Sequence, residues 1–192
     1  MVGDELTGGS VQDINASFTA RELDMIGWDV SAIMLVGDDP PSIISGLDYL
    51  FSRSDVVIVS GGLGPTADDI TTAAIAEGLG LPLETDEKVL ARLKERFHAY
   101  NIPWTENNAK QARFPRGSTI IDNPVGTAAG FYARTEKGAV IVVPGVPREL
   151  QRMIPGGVAP VLEREFNGER TIKARRTLKI TGLSESRVDE II

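Results

Sequence analysis

Apolar positions along the chain follow two different periods, and the switches between them mark the elements. Residues 56–59 are a continuous β-branched run, Val-Val-Ile-Val, of the kind buried inside a sheet covered on both faces. Helical spacing governs the stretches around it. Val11, Ile14, Phe18 and Met25 share one helical face ended by Gly27, and Ile43, Leu47, Leu50 and Phe51 form a second stripe. A third helix is expected from Asp69 to about Gly78, and a fourth, opened by Asp86, to about Tyr100 with Val89, Leu90, Leu93 and Phe97 inward. Residues 28–36 read as a strand, apolar towards its end. Strand, acidic turn and helix thus recur three times, which predicts a mainly parallel sheet with helices on both faces. Ligands of such sheets bind at the carboxyl ends of the strands, where the acidic turns lie.

The second half changes the sheet. Residues 102–112 read as a loop entering a helix and 118–121 as a short strand, while 131–134 and 139–143 form a hairpin around Glu136-Lys137-Gly138. An antiparallel pair makes the expected sheet mixed. Helices over 147–154 and 158–166, separated by Pro155-Gly156-Gly157, complete a first domain spanning residues 1–167. A basic strand-like run at 171–180 and a short helix from near Ser184 follow. Residues 168–192 are too few to fold alone and read as a docked appendage or the beginning of a second small α+β domain.

With 192 residues, 42% of them hydrophobic, the chain suffices for one full domain with its own core. A net charge of −7 disfavours sequence-independent nucleic-acid binding and adhesion to anionic membranes, although a cation could reconcile acidic side chains with a phosphate ligand. The lack of cysteine excludes thiol catalysis, disulfides and Cys-ligated metals; the single His98 excludes a multi-histidine metal site. No apolar run approaches a membrane span and no signal peptide precedes the first motif, so the expected location is cytoplasmic.

Candidate chemistry is concentrated in Ser60-Gly61-Gly62-Leu63-Gly64-Pro65-Thr66-Ala67-Asp68-Asp69, a strand-to-helix turn rich in glycine. Its backbone can approach a ligand closely, and the N–H groups of the following helix favour anions. It is neither a Walker loop, since no Lys-Ser/Thr follows the last glycine, nor a GxGxxG turn. A purely structural reading stays open, in which Asp39, Asp68 or Asp69 simply caps a helix. Lys110 could meet a phosphate or stay a solvated surface lysine.

These stretches combine with others in a fixed order: Gly3-Asp4-Glu5-Leu6, Asn15, Val36-Gly37-Asp38-Asp39, the glycine turn, Asn107 with Lys110-Gln111-Ala112, Asn123-Pro124-Val125-Gly126-Thr127-Ala128-Ala129-Gly130, and Pro144-Gly145-Val146-Pro147-Arg148-Glu149. Over about residues 3–166 they resemble the N-terminal domain of the CinA competence/damage-inducible family, which has the MoaB/MogA molybdopterin-binding fold. The resemblance implies a three-layer α/β/α domain with a mostly parallel mixed sheet, binding a pterin or nucleotide phosphate at the strand ends. CinA-type domains are associated with divalent-metal-dependent hydrolysis of ADP-ribose to AMP and ribose 5-phosphate, whereas MogA-like relatives adenylate molybdopterin with ATP. Both act at a phosphoric anhydride, so fold alone does not decide between them.

The leading expectation from the resemblance is an ADP-ribose pyrophosphatase using Mg²⁺ or Co²⁺/Ni²⁺. The alternatives are a molybdopterin- or nucleotide-binding module without turnover, and a molybdopterin adenylyltransferase, which the Asn-Pro-Val-Gly-Thr loop disfavours. By position, the resemblance implies a metal on Asp38 and Asp69 with Asp4, and catalysis by Asp38, Asp69, Asp68 and Lys110. Substrate binding falls to Gly61, Gly62, Gly64, Thr66, Asn107, Gly126, Thr127, Pro144 and Gly145. A homo-oligomer, dimer or trimer, is implied, with no nucleic-acid or membrane partner. The family pattern carries a complete apolar strand before Gly-Asp-Glu-Leu, here Met1-Val2, so weak anchoring of Asp4 is expected. Residues 176–186 resemble the opening of the small domain that follows in CinA proteins. The nicotinamide-mononucleotide deamidase domain of many of them is not in this sequence, so that activity is expected to be absent.

Overall fold

The computed structural model describes residues 1–166 and 179–191. In chain order the elements are α1 (Asp4–Thr7), α2 (Asn15–Met25), α3 (Pro40–Phe51), β1 (Val56–Ser60), α4 (Thr71–Leu79), β2 (Leu83–Thr85), α5 (Glu87–Ala99), a 3-10 segment (Glu106–Ala112), β3 (Arg113–Pro115), β4 (Thr119–Ile121), β5 (Gly130–Thr135), β6 (Gly138–Val143), α6 (Pro147–Met153), a π turn (Ile154–Val158), α7 (Ala159–Glu165) and α8 (Glu185–Asp189). The four-stranded sheet has the order β1-β6-β5-β4. It is mixed, as expected: β1 and β6 are parallel, while β6, β5 and β4 form antiparallel pairs. A small antiparallel ribbon of β2 and β3, absent from the sequence reading, lies apart.

Strand alternation builds the layers. Val57 and Val59, Phe131 and Ala133, and Val140 and Val142 face a core filled by α3, α4 and α5 through Ile43, Leu47, Ala74, Ile75, Val89 and Leu93. Tyr132, Ala139, Ile141 and Val143 point the other way, onto Leu23, Leu150, Met153, Val161 and Leu162 of α2, α6 and α7. Burial on both faces explains why the β1 and β6 sequences are apolar without alternation. Each fully buried Val or Ile contributes roughly 1.5–3 kcal/mol before the entropy of ordering is counted.

The caps are as local chemistry demands. Asp39 accepts from Ser42 N (2.9 Å) at the start of α3, and Asp86 accepts from Lys88 N (2.9 Å) and Val89 N (3.0 Å) at the start of α5. Hydrogen bonds to Ser42 hold the Asp39 carboxyl below its usual range.

Two expectations change. Residues 28–36 form no strand; only Val36 pairs, in a single parallel bridge to Val2. Among the described residues this segment meets a strand partner only at Val36. Met1 and Val2 lie between Val36 and Ser60, with Val2 N on Ser60 O (2.9 Å), Gly3 N on Val36 O (3.0 Å) and Val36 N on Met1 O (3.0 Å). Beyond Met1 a slot of about 300 Å³ separates Val56, Val57 and Ile58 from residues 30–34, floored by Leu23, Leu162 and Phe166. The inward face of α2 also differs, because the helix starts at Asn15 and buries Ala16, Thr19 and Leu23 while Val11, Ile14 and Met25 stay exposed.

The expected helix near Ser184 is present as α8, with no buried residue. Of the strand-like run at 171–180, all but the last two residues lie outside the described residues, as does the boundary at 167–168. Among the described residues no helix is long and apolar enough to cross a membrane.

Candidate functional site

At the carboxyl end of β1 the chain leaves the sheet through glycine. Gly61 has φ 113° and Gly62 φ 66°, and side chains there would run into the Val2 carbonyl and the Thr71 hydroxyl. The N–H groups of Gly62, Leu63 and Gly64 have no hydrogen-bond partner among the described residues. Beneath them lies the fully buried Thr71, whose hydroxyl is also unpaired there. A run of unpaired amides at the entrance to a helix is an anion-binding element.

Asp69 closes this turn and does not cap α4. Its Oδ2 accepts from Thr66 N (2.9 Å) and Thr66 Oγ1 (2.7 Å), and α4 begins after it with Ile70 at the N-cap and no side-chain cap bond. Lys110 serves the same turn from the 3-10 segment. Its Nζ donates to the carbonyls of Thr66 and, at 3.1 Å, Asp69, so the structure directs it to backbone rather than into the cavity.

Opposite stands a second pair of carboxylates. Asp4 N donates to Asp38 Oδ2 (3.0 Å) and Asp38 N to Asp4 Oδ1 (2.9 Å), a reciprocal clip that joins α1 to the turn after Val36. Burial raises the Asp38 pKa above the usual carboxylate range; the bond from Asp4 N opposes this, and the charges of Asp4, Glu5 and Asp69 add to it. Asp38 therefore faces the charges of the other three carboxylates.

The remaining wall is braced by amides. Asn15 Nδ2 donates to Gly145 O (2.7 Å), and Ser60 Oγ to Pro144 O (3.0 Å). Buried Asn123 accepts from Val125 N (3.0 Å) and Gly126 N (2.8 Å) and donates to Ala128 O (2.9 Å) and Glu149 Oε2 (2.7 Å). Arg96 reaches across from α5 to the carbonyls of Gly126 and, at 3.3 Å, Asn123.

These parts enclose a cavity of about 550 Å³, a size suited to a nucleotide or pterin. Of the expected residues, Asp38, Asp68, Asp69, Gly61, Gly62, Gly64, Thr127, Pro144 and Gly145 line it. Asp4, Thr66, Lys110 and Gly126 stand behind that lining as supports, and Asn107 is exposed on the 3-10 segment, where its neighbour Asn108 is the buried one. Glu5, Asn15, Gln111 and Glu149 also line the cavity, and sequence reasoning gives them no role. All four lie inside the motifs quoted above, Glu149 in the first turn of α6. The lining carries the carboxylates of Glu5, Asp13, Asp38, Asp68, Asp69 and Glu149 and, among the described residues, no Lys or Arg. No group of three or more His, Cys, Asp or Glu among those residues is placed to hold a metal by itself.

The family model described as "Probable molybdopterin binding domain" matches residues 1–164. A CinA-like protein of Syntrophus aciditrophicus is 49% identical over 188 residues, covering 98% of this chain and 45% of the relative. Another, from Myxococcus xanthus, is 40% identical over 189 residues, covering 97% and 45%. The chain thus spans about half the length of the curated relatives it matches. The crystal structure of CinA from Thermoplasma acidophilum, a protein described as of unknown function, superposes with a TM-score of 0.74 at 34% identity over 85% of this chain and 93% of that one. The molybdopterin biosynthesis enzyme MoaB from Thermus thermophilus gives a TM-score of 0.53 at 21% identity, covering 85% and 88%, a likeness of fold alone. The chain belongs to the molybdopterin-binding domain family, as a CinA N-terminal domain of MoaB/MogA-like fold.

Proposed function

We propose that this domain binds a phosphate-bearing pterin or nucleotide in the cavity at the strand ends, together with a divalent cation, Mg²⁺ or Co²⁺/Ni²⁺. One observation carries the reading: the unpaired amides of Gly62, Leu63 and Gly64 share the cavity with carboxylates and with no basic side chain among its described lining. An anionic phosphate 4 Å from one carboxylate meets a repulsion of about 1 kcal/mol in water and about 4 kcal/mol at the effective dielectric of a protein surface. Offsetting several such terms requires a cation.

The donor set fits one. Internal hydrogen bonds occupy one oxygen each of Asp38 and Asp69, which leaves Oδ1 of both for a metal. One or two carboxylates completed by ligand phosphates is coordination that Mg²⁺ accepts, and it needs no cluster of three. Such an ion, when bound, neutralises anhydride oxygens and acidifies water. The chain's own groups do the rest: the amides hold a phosphate, Lys110 and Asp69 fix the turn that presents them, and Asn15 and Ser60 fix the Pro144-Gly145 wall.

The family description and the CinA likeness support binding more than they support hydrolysis of ADP-ribose. Hydrolysis to AMP and ribose 5-phosphate is the second reading, favoured by Asp68 and Asp69 standing beside the unpaired amides. A homo-oligomer is proposed with either.

Thermal unfolding of the parent and Asp69→Asn with ADP-ribose, ATP or a pterin phosphate, each with and without Mg²⁺, Co²⁺ or Ni²⁺, tests this. We expect metal-dependent stabilisation of the parent, about 2.7 kcal/mol at a hundredfold excess over Kd, reduced in the variant. Chromatography of the same mixtures decides turnover: AMP from ADP-ribose selects hydrolysis, and adenylated pterin from ATP plus molybdopterin selects adenylyl transfer. Absence of stabilisation by all three ligands with every metal would sink the proposal.

A further inference from the structure

We infer that Glu149 selects the ligand, by accepting hydrogen bonds from a pair of adjacent donors on its non-phosphate part. Glu149 sits in the first turn of α6, half-buried, and lines the cavity. Its carboxylate is held on one side only. Oε2 accepts from Asn123 Nδ2 at 2.7 Å, and Asn123 is itself fixed by three bonds to the loop 125–128. The carboxylate packs so closely on Gly126 that a side chain there would collide with it. Oε1 has no hydrogen-bond or ion-pair partner among the described residues.

Oε1 is not one of the buried unpaired polar atoms, so solvent reaches it and a ligand donor can take the place of that water. The chemistry of that ligand follows. A carboxylate accepts and does not donate, and it repels phosphate, so Glu149 faces a part of the ligand that carries N–H or O–H groups. Two such donors side by side match its two oxygens in the bidentate manner that gives charge-assisted pairs their strength. The amidine edge of a pterin or guanine, N–H beside an exocyclic NH₂, has that form, and so does a ribose 2′,3′-diol. The glycine turn is close by along the chain's own packing: the Cα of Gly61 would lie 3.0 Å from a side-chain carbon on Gly145, which precedes Glu149 in the chain. One wall thus carries donors for phosphate at one end and an acceptor at the other.

This assignment rests on the proposed binding site, and the probes separate the two. Guanosine and adenosine, which lack phosphate, read Glu149 alone; pyrophosphate with Mg²⁺ reads the glycine turn and carboxylates alone. In NMR titrations we expect guanosine to shift the Asn123 side-chain and Gly126 amide resonances, with affinity falling about tenfold in Glu149→Gln and pyrophosphate binding no weaker in the variant. The Glu149→Gln change keeps an acceptor for Asn123, and Glu149→Asp, which withdraws the carboxylate by one methylene, repeats the test if the first variant misfolds. Binding of guanosine but not adenosine assigns the heterocycle edge, and equal binding assigns the diol. No shift with either nucleoside, or equal affinities in parent and variant, overturns the role of Glu149. Failure of pyrophosphate alone overturns the metal–phosphate site and leaves Glu149 standing.

Discussion

The two edges of β1 are unlike. Along one, five residues pair in parallel with β6, whose residues Ala139 to Val143 are 0–1% exposed. Along the other, β1 accepts one bond, from Val2 N to Ser60 O, and then faces the slot beyond Met1. The cavity straddles both. Gly61, Gly145, Asn123 and Glu149 stand on the paired side, whereas Glu5 and Asp38 stand on segments tied by one bridge and the Asp4–Asp38 clip. Groups that must read shape and hydrogen-bonding pattern thus stand beside the fully paired edge. Glu5 and Asp38, whose charges repel, stand beside the other edge.

Breaking the fully paired side should have the largest effect. Asn123→Ala leaves Val125 N, Gly126 N, Ala128 O and a Glu149 oxygen without their partner at a buried position. We expect a loss of about 2 kcal/mol or more, read as a lower urea midpoint at unchanged slope. A loss well under 1 kcal/mol would show that water replaces the amide and that the loop is not fixed through it.

What was legible in the sequence divides along the same line. The 56–59 run, the hairpin at 131–143 and the caps Asp39 and Asp86 rest on local or doubly buried patterns, and they appear where expected. Residues 28–36 are apolar towards their end, yet a strand needs a neighbour, and neighbours are not written in a segment's own pattern. Periodicity likewise gave α2 an apolar stripe without showing that Ala16, Thr19 and Leu23, small enough for close approach, would be the face that packs. Asp69 was ambiguous because its bond to Thr66, three residues back, competes with a helix cap made of the same chemistry. The bracing role of Lys110 and any role for Glu149 were hidden for another reason: their partners lie 44 and 26 residues away, at Thr66 and Asn123.

The smallest effect expected lies on the Asp38 side, and its sign is informative. Asp38→Asn removes a charge but keeps an oxygen to accept from Asp4 N. Because folding raises the Asp38 pKa above its ordinary 3.8, the folded protein holds that proton more tightly than the unfolded chain does. The penalty is therefore absent below pH 3.8 and grows as pH rises through the raised value. At pH 7 and without metal, the variant should be slightly more stable than the parent, with the difference fading as the solution is acidified. Adding Mg²⁺ and ADP-ribose should reverse the order, since only the parent keeps the charge that a cation would neutralise. Should Asp38→Asn be the less stable protein at pH 7 without metal, the clip to Asp4 would outweigh the repulsion between the carboxylates.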